Sequence, residues 1–219
     1  MSGADGPFHL RPFLASRLGA ALQAAVVAAA ALLMPGSLWF GPIVAALVAA
    51  ALLWLAGDGL RSVGFGRPTR RAFWWVSVAL AAGLAWQYAA SGFVLPYLSQ
   101  RLGAAAAAPA PPTALGFIAA VIVFGLIHPI ASALAYRGFL LSRLERLFGR
   151  SIAGAAASFV VASVVFGLGS AGGGWARLAV TCLTGTVFNA LYYWSRRNVW
   201  PSVVAHAAYN IAAIVLLSL

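Results

Sequence analysis

The sequence contains no lysine, and its only acids are Asp5, Asp58 and Glu145. Charged residues make up 8% of the 219, against roughly a quarter in an ordinary soluble domain, so there is too little ionic material to cover an aqueous surface. A soluble fold is excluded. One cysteine, Cys182, lies inside an apolar stretch, which excludes a disulfide framework and a cysteine-rich metal site. What the chain has in abundance is hydrocarbon: 63% of its residues are apolar and the mean hydropathy is +0.94. The formal charge of +11 comes from arginines set singly or in pairs between apolar runs. They are not gathered into a face for phosphates and bases, so no nucleic-acid partner is expected.

A helix needs about 20 mostly apolar residues to cross the hydrocarbon core. Such runs lie near 17–34, 38–57, 72–95, 114–135, 151–169, 175–195 and 199–218. They predict an all-α, polytopic transmembrane helix bundle of about seven spans, or eight if one run is divided. Turn signals separate them at Pro35-Gly36, Asp58 to Arg71, the Ala-Pro segment Ala104 to Thr113, Gly149-Arg150, the glycines at 172–174 and Ser195 to Asn198. The first run has no convincing cleavage site and reads as a membrane anchor. Residues 1–113 are taken as N-terminal helices with an Ala/Pro linker, and 114–219 as a second group of helices. Pro129 disfavours helix at His128, which predicts a short span ending there and a separate helix from about 130 to 148.

Arginine placement tests this segmentation, because short cytoplasmic loops carry the excess of positive charge. Eleven arginines fall at the N-terminus and in alternate loops, while the remaining loops hold only Arg101 and Arg177. An integral, multi-pass membrane protein with a cytoplasmic N-terminus follows, with lipid as its first partner. Arg137 is left inside a span. Its sequence neighbour Glu145 is two turns away and expected at the surface, so helix-end carbonyls or lipid phosphate are expected to accept from it.

Polar residues within the runs are the informative ones, since each must find a partner or line a cavity. They are His128, Ser132, Tyr136 and Arg137; Ser158, Ser163 and Ser170; Thr181, Thr184, Thr186 and Asn189; and His206, Tyr209 and Asn210. Single serines and threonines read first as packing residues. His206 and Asn210, four apart, project from one helix face, able to donate two hydrogen bonds to one oxygen or to clamp two helices.

Three segments, Pro129-Ile-Ala-Ser-Ala-Leu-Ala-Tyr-Arg-Gly-Phe-Leu-Leu141, Phe166-Gly-Leu-Gly-Ser170 and Trp200-Pro-Ser-Val-Val-Ala-His-Ala-Ala-Tyr-Asn210, resemble the CPBP family. These are the CAAX prenyl proteases and bacteriocin-processing enzymes, intramembrane peptidases. Val63-Gly-Phe-Gly-Arg-Pro-Thr-Arg-Arg71 adds weaker support. The resemblance implies a CPBP-like catalytic core over 114–219. The family's first motif, two glutamates, three spacers and an arginine, maps Arg137 onto the arginine and Ser132 and Ala133 onto the glutamates. Its second, phenylalanine with histidine four residues later, maps Phe166 and puts Ser170 where the histidine belongs. Its third is intact in His206 and Asn210. The resemblance implies that the lost glutamate and histidine would activate water, and that the retained pair stabilises the oxyanion.

Chemistry decides what these substitutions mean. Amide hydrolysis needs a group to take a proton from water and donors where negative charge develops. A serine hydroxyl is no base and alanine is inert. No cofactor is indicated, and His206 among neutral residues cannot assemble the three ligands of a catalytic zinc. The expected function is a proteolytically inactive CPBP-fold protein, natural or inactivated, whose cavity and oxyanion pair hold a transmembrane or lipidated segment of a partner. One alternative is an active endopeptidase with rearranged groups, using His128, or Ser132 or Ser170 with His206. Another is a non-catalytic membrane scaffold or transporter-like bundle.

Overall fold

A computed structural model describes residues 11–33, 40–66, 70–103, 113–149 and 151–218, without the side chains of 70–73. Asp5, the Pro35-Gly36 turn, Arg67, the linker residues 104–112 and Arg150 lie outside these residues. Every regular element described is helical. The short α1 (Arg11–Ala15) leads into α2 (Arg17–Leu32), started by the Ser16 hydroxyl accepting from the Gly19 amide. α3 (Gly41–Ala56) follows and ends on Gly57 at φ 71. α4 (Arg70–Ala89), a π-helical stretch (Ala90–Val94) and α5 (Leu95–Leu102) form one continuous rod. The central rod joins α6 (Ala114–Ala120), a π stretch (Val121–Ile127), α7 (His128–Ser132), another π stretch (Ala133–Leu140) and α8 (Leu141–Phe148). α9 (Ile152–Leu168), α10 (Trp175–Trp194) and α11 (Trp200–Ser218) complete the bundle.

The rods stand one for one on the seven apolar runs. Three of them, Trp74–Leu102, Ala114–Phe148 and Trp200–Ser218, are long and apolar enough to cross a membrane. α2, α3 and α9 are apolar but have 16, 16 and 17 residues. By this criterion three of the seven expected crossings are met. Large apolar side chains face outward, Ile152 at 93% and Trp74 at 75% exposed, the reverse of a water-facing surface. The chain is an all-helical integral membrane protein.

The expected break at Pro129 does not occur. His128 keeps helical torsions of −61° and −43°, and the rod runs on to Phe148. Proline removes one amide donor and crowds the preceding turn. Here a π stretch with its wider i→i+5 pairing lies immediately before α7 and another immediately after, giving the ring room without ending the helix.

The central rod is the hub: α2 packs on α8, α3 on α7, and α9 on α8, while α11 lies along α4 and against α7. Close approach of α11 to α4 depends on Gly83, where a Cβ would meet the Ala205 carbonyl. Apolar attraction between helices is weak in lipid, so such small-residue contacts supply the packing. Ser158, Ser163 and Thr184 bond back to carbonyls of their own helices, as packing residues do. Asn189 adds a bridge from α10 to the Ser163 hydroxyl of α9 at 3.0 Å.

Glu145, expected at the surface, is buried. Its carboxylate accepts from the Tyr193 hydroxyl at 2.7 Å and from Arg197 at 2.8 Å, tying α8 to the end of α10. The turn after α10 places Arg196 and Arg197 in the left-handed region, at φ 59 and 63. Such torsions cost a non-glycine residue about 1–2 kcal/mol. Gly64, at φ 95, sits directly beneath this turn, where a Cβ would strike the Arg197 carbonyl, and its own carbonyl accepts from the Val199 amide at 3.2 Å.

Candidate functional site

The segment that carries Ser132, Ala133 and Arg137 lies at the junction of α7 and the second π stretch, where all three side chains are buried. Arg137 is 1% exposed, and its Nη1 donates to Ser132 Oγ at 2.7 Å. Its Nε and Nη2 have no hydrogen-bond partner among the described residues. Aromatic rings close around it instead: the guanidinium carbon lies 4.5 Å from the Phe166 ring centre, 5.2 Å from Phe188 and 5.8 Å from Tyr136. A desolvated cation over an aromatic face gains about 2 kcal/mol or more per good contact, which offsets part of the cost of burying it. The expected acceptors, helix-end carbonyls or lipid phosphate, are therefore replaced by one serine hydroxyl and three rings.

His206 joins the same cluster from α11. Its imidazole stacks on Phe188 at 4.7 Å and meets the edge of Phe166 at 5.9 Å, so it shares two rings with Arg137. The His128 ring packs edge-on against it at 5.2 Å. Nδ1 of His206 is buried without a hydrogen-bond partner. Asn210, one turn further along α11, donates from Nδ2 to the Phe124 carbonyl at 2.7 Å. Phe124 lies in the first π stretch, and the bond fastens α11 to the central rod. One amide hydrogen of Asn210 is thereby spent on the backbone.

Ser170 caps the end of α9. Its hydroxyl donates to the Gly167 carbonyl at 2.7 Å and approaches the Arg177 carbonyl at 3.5 Å. No hydrogen bond joins His206 to Ser132 or to Ser170 among the described residues, so a serine nucleophile activated by that histidine lacks its defining contact. Ala133 contributes only a methyl group to the core. The structure thus brings Ser132, Arg137 and His206 around one aromatic box, with His128 packed against His206, and leaves Ser170 and Asn210 bonded to backbone.

The donors present do not fit a catalytic metal. Among the described residues no three His, Cys, Asp or Glu side chains gather. The two imidazoles that do meet include His206, which shares two rings with the buried Arg137 cation, and that cation repels a divalent ion. Phe188 and the Phe124 carbonyl are parts of the site that no sequence signal set apart, since each belongs to an apolar run, whereas Tyr136 stood among the polar residues singled out there.

The chain thus carries a buried polar centre walled by aromatic rings inside an all-helical membrane bundle. Residues 114–212 match the model of the family described as type II CAAX prenyl endopeptidase Rce1-like, in agreement with a CPBP membrane protease. The matched stretch takes in Ser132, Ala133, Arg137, Ser170, His206 and Asn210. No curated protein and no solved structure matches the chain.

Proposed function

We propose that the chain is a CPBP-type membrane protein without proteolytic activity, whose buried centre receives a transmembrane or lipidated segment of a partner protein. The observation that carries this reading is the environment of Arg137. Among the described residues its one hydrogen-bond acceptor is the Ser132 hydroxyl, and no carboxylate there stands beside it to take a proton from water. Burying an unpaired guanidinium is costly. Its retention beside His206 supports a role in recognition, where donors and rings suffice and no base is needed.

The remaining helices are proposed to cross the bilayer with the arginine-rich end in the cytoplasm, giving a multi-pass topology. An apolar groove of about 440 Å³ between α4 and α11 is lined by Leu84, Ile211 and Val215, with Gln87 as its one amide. Its wall chemistry suits a hydrocarbon chain. A second reading, an active hydrolase with rearranged groups, takes its support from the His128–His206 ring contact at 5.2 Å.

The test uses the full chain in liposomes with a photo-reactive transmembrane peptide carrying a prenylated cysteine. Crosslinking to α11 without release of fragments is the expected result. Cleavage of the peptide that disappears in His206→Ala would establish the second reading instead.

A further inference from the structure

We propose that Arg61, Arg143, Arg146, Arg196 and Arg197 form a preorganised binding site for a phosphate group at the arginine-rich end of the bundle. The five come from three separate parts of the chain: the 3-10 turn Leu60–Val63, α8, and the connection from α10 to α11. They line one cavity of about 280 Å³, in which Glu145 is the only acid. This proposal is independent of the buried Arg137 centre and holds whether or not that centre binds a partner.

The positive charge is only partly compensated. Glu145 is committed to Arg197 and Tyr193. Asp58 lies 3.4 Å from Arg143, whose Nε donates to Gln23 at 2.9 Å. Arg61, Arg146 and Arg196 have no acid partner among the described residues, and all three are exposed. Two arginines are therefore fixed in the wall by neighbouring acids while three open forks face the space between them. A polyvalent anion matches such a set, since planar guanidinium groups bind phosphate oxygens two at a time.

The walls are fixed in advance. Val199 donates to the Gly64 carbonyl, Trp200 Nε1 reaches the Gly66 carbonyl at 3.3 Å, and the Phe65 and Trp200 rings meet edge-on at 5.8 Å. Arg196 and Arg197 hold adjacent left-handed torsions, pinned by bonds from their amides to the Tyr193 and Tyr192 carbonyls. Charges that serve only to orient helices need to lie in the right loop. They have no need to converge on a cavity or to sit on strained backbone, which marks functional segments. The phosphate can belong to an anionic lipid headgroup or to a soluble phosphate compound, and both present the same oxygens.

The experiment uses the full chain in detergent micelles, with dioleoyl-phosphatidic acid and inorganic pyrophosphate as probes and dioleoyl-phosphatidylcholine as the neutral control, read by native mass spectrometry. Saturable binding at one site is expected, weakened about tenfold or more in the double variant Arg61→Gln, Arg196→Gln and unchanged in Arg101→Gln, which lies away from the cavity. Arg146→Gln provides a second, independent variant should the double one lose helicity. Pyrophosphate that binds and displaces the lipid assigns the site to the phosphate group itself; lipid binding alone, with the same variant dependence, assigns it to a headgroup. Absence of saturable binding by either probe, or equal weakening by Arg101→Gln, overturns the proposal.

Discussion

Arg137 and Ser132 meet at 2.7 Å although they are five positions apart in the chain, because the helix between them is π-helical. On an α-helix a five-residue step leaves two side chains about 140° apart around the axis. The wider i→i+5 turn brings them onto one face. The stretch Ala133–Leu140 is therefore what brings Ser132 and Arg137 into contact.

That contact predicts a specific coupling. Ser132→Ala removes the one hydrogen-bond acceptor of a buried cation and is expected to cost about 1.5–3 kcal/mol. Arg137→Met removes the unpaired charge and is expected to be neutral or stabilising, by up to about 4 kcal/mol. In the Arg137→Met background, Ser132→Ala then costs less than about 0.5 kcal/mol. Denaturant unfolding of the four proteins in micelles measures the cycle; the same Ser132→Ala cost in both backgrounds would show that the two side chains do not act together.

Gly64→Ala tests the junction beneath the Arg196–Arg197 turn. The new methyl would meet the Arg197 carbonyl at a residue already at φ 95, so a loss of about 2 kcal/mol or more is expected. Gly59 has open space around its Cβ position and φ −91, which makes Gly59→Ala the matched control with little change. Thermal unfolding of the two variants compares them; equal midpoints would mean that the two loops are not locked together.

Glu145→Gln leaves a hydrogen-bond acceptor for Tyr193 but removes the charge opposite Arg197. Arg197 is 41% exposed, so solvent screening limits the loss to about 1 kcal/mol. The larger expected effect is local: easier proteolysis of the turn after α10. Unchanged trypsin sensitivity at Arg196 and Arg197 would remove Glu145 from any positioning role.

Asn210→Ala frees the Phe124 carbonyl. Hydrogen bonds between membrane helices are worth about 0.6 kcal/mol on average and rarely above 1.7, so the bundle is expected to survive. Loss of peptide crosslinking with the fold intact would place Asn210 in the receiving centre. Retained crosslinking would confine it to joining α11 to the central rod.

The helices themselves were legible because long apolar runs and glycine turns leave few alternatives: each run holds a helix, and Gly149, at φ 90, ends the central rod where the pattern did. The site was legible in its polar members and in Phe166. Pro129 misled, since its local preference is overridden when π stretches on both sides absorb the missing amide. Apolar periodicity carries no sign of a π turn. Phe166 stood out as a motif residue but with no sign that its ring would face Arg137, and Phe188 looks like any other apolar residue until folding sets both around that cation. Burial of Glu145 depended on Tyr193 and Arg197, 48 and 52 residues distant in sequence.

The central claim is an intact protease scaffold that lacks its base. Its most direct test is peptide cleavage in liposomes by the chain as written, by its Ser132→Glu, Ala133→Glu, Ser170→His form, and by that form with His206→Ala. Cleavage by the triple variant alone, abolished by the further His206→Ala change, is the expected result. Cleavage by the chain as written, lost on its own His206→Ala substitution, would contradict the claim and establish a working catalytic site built from other groups.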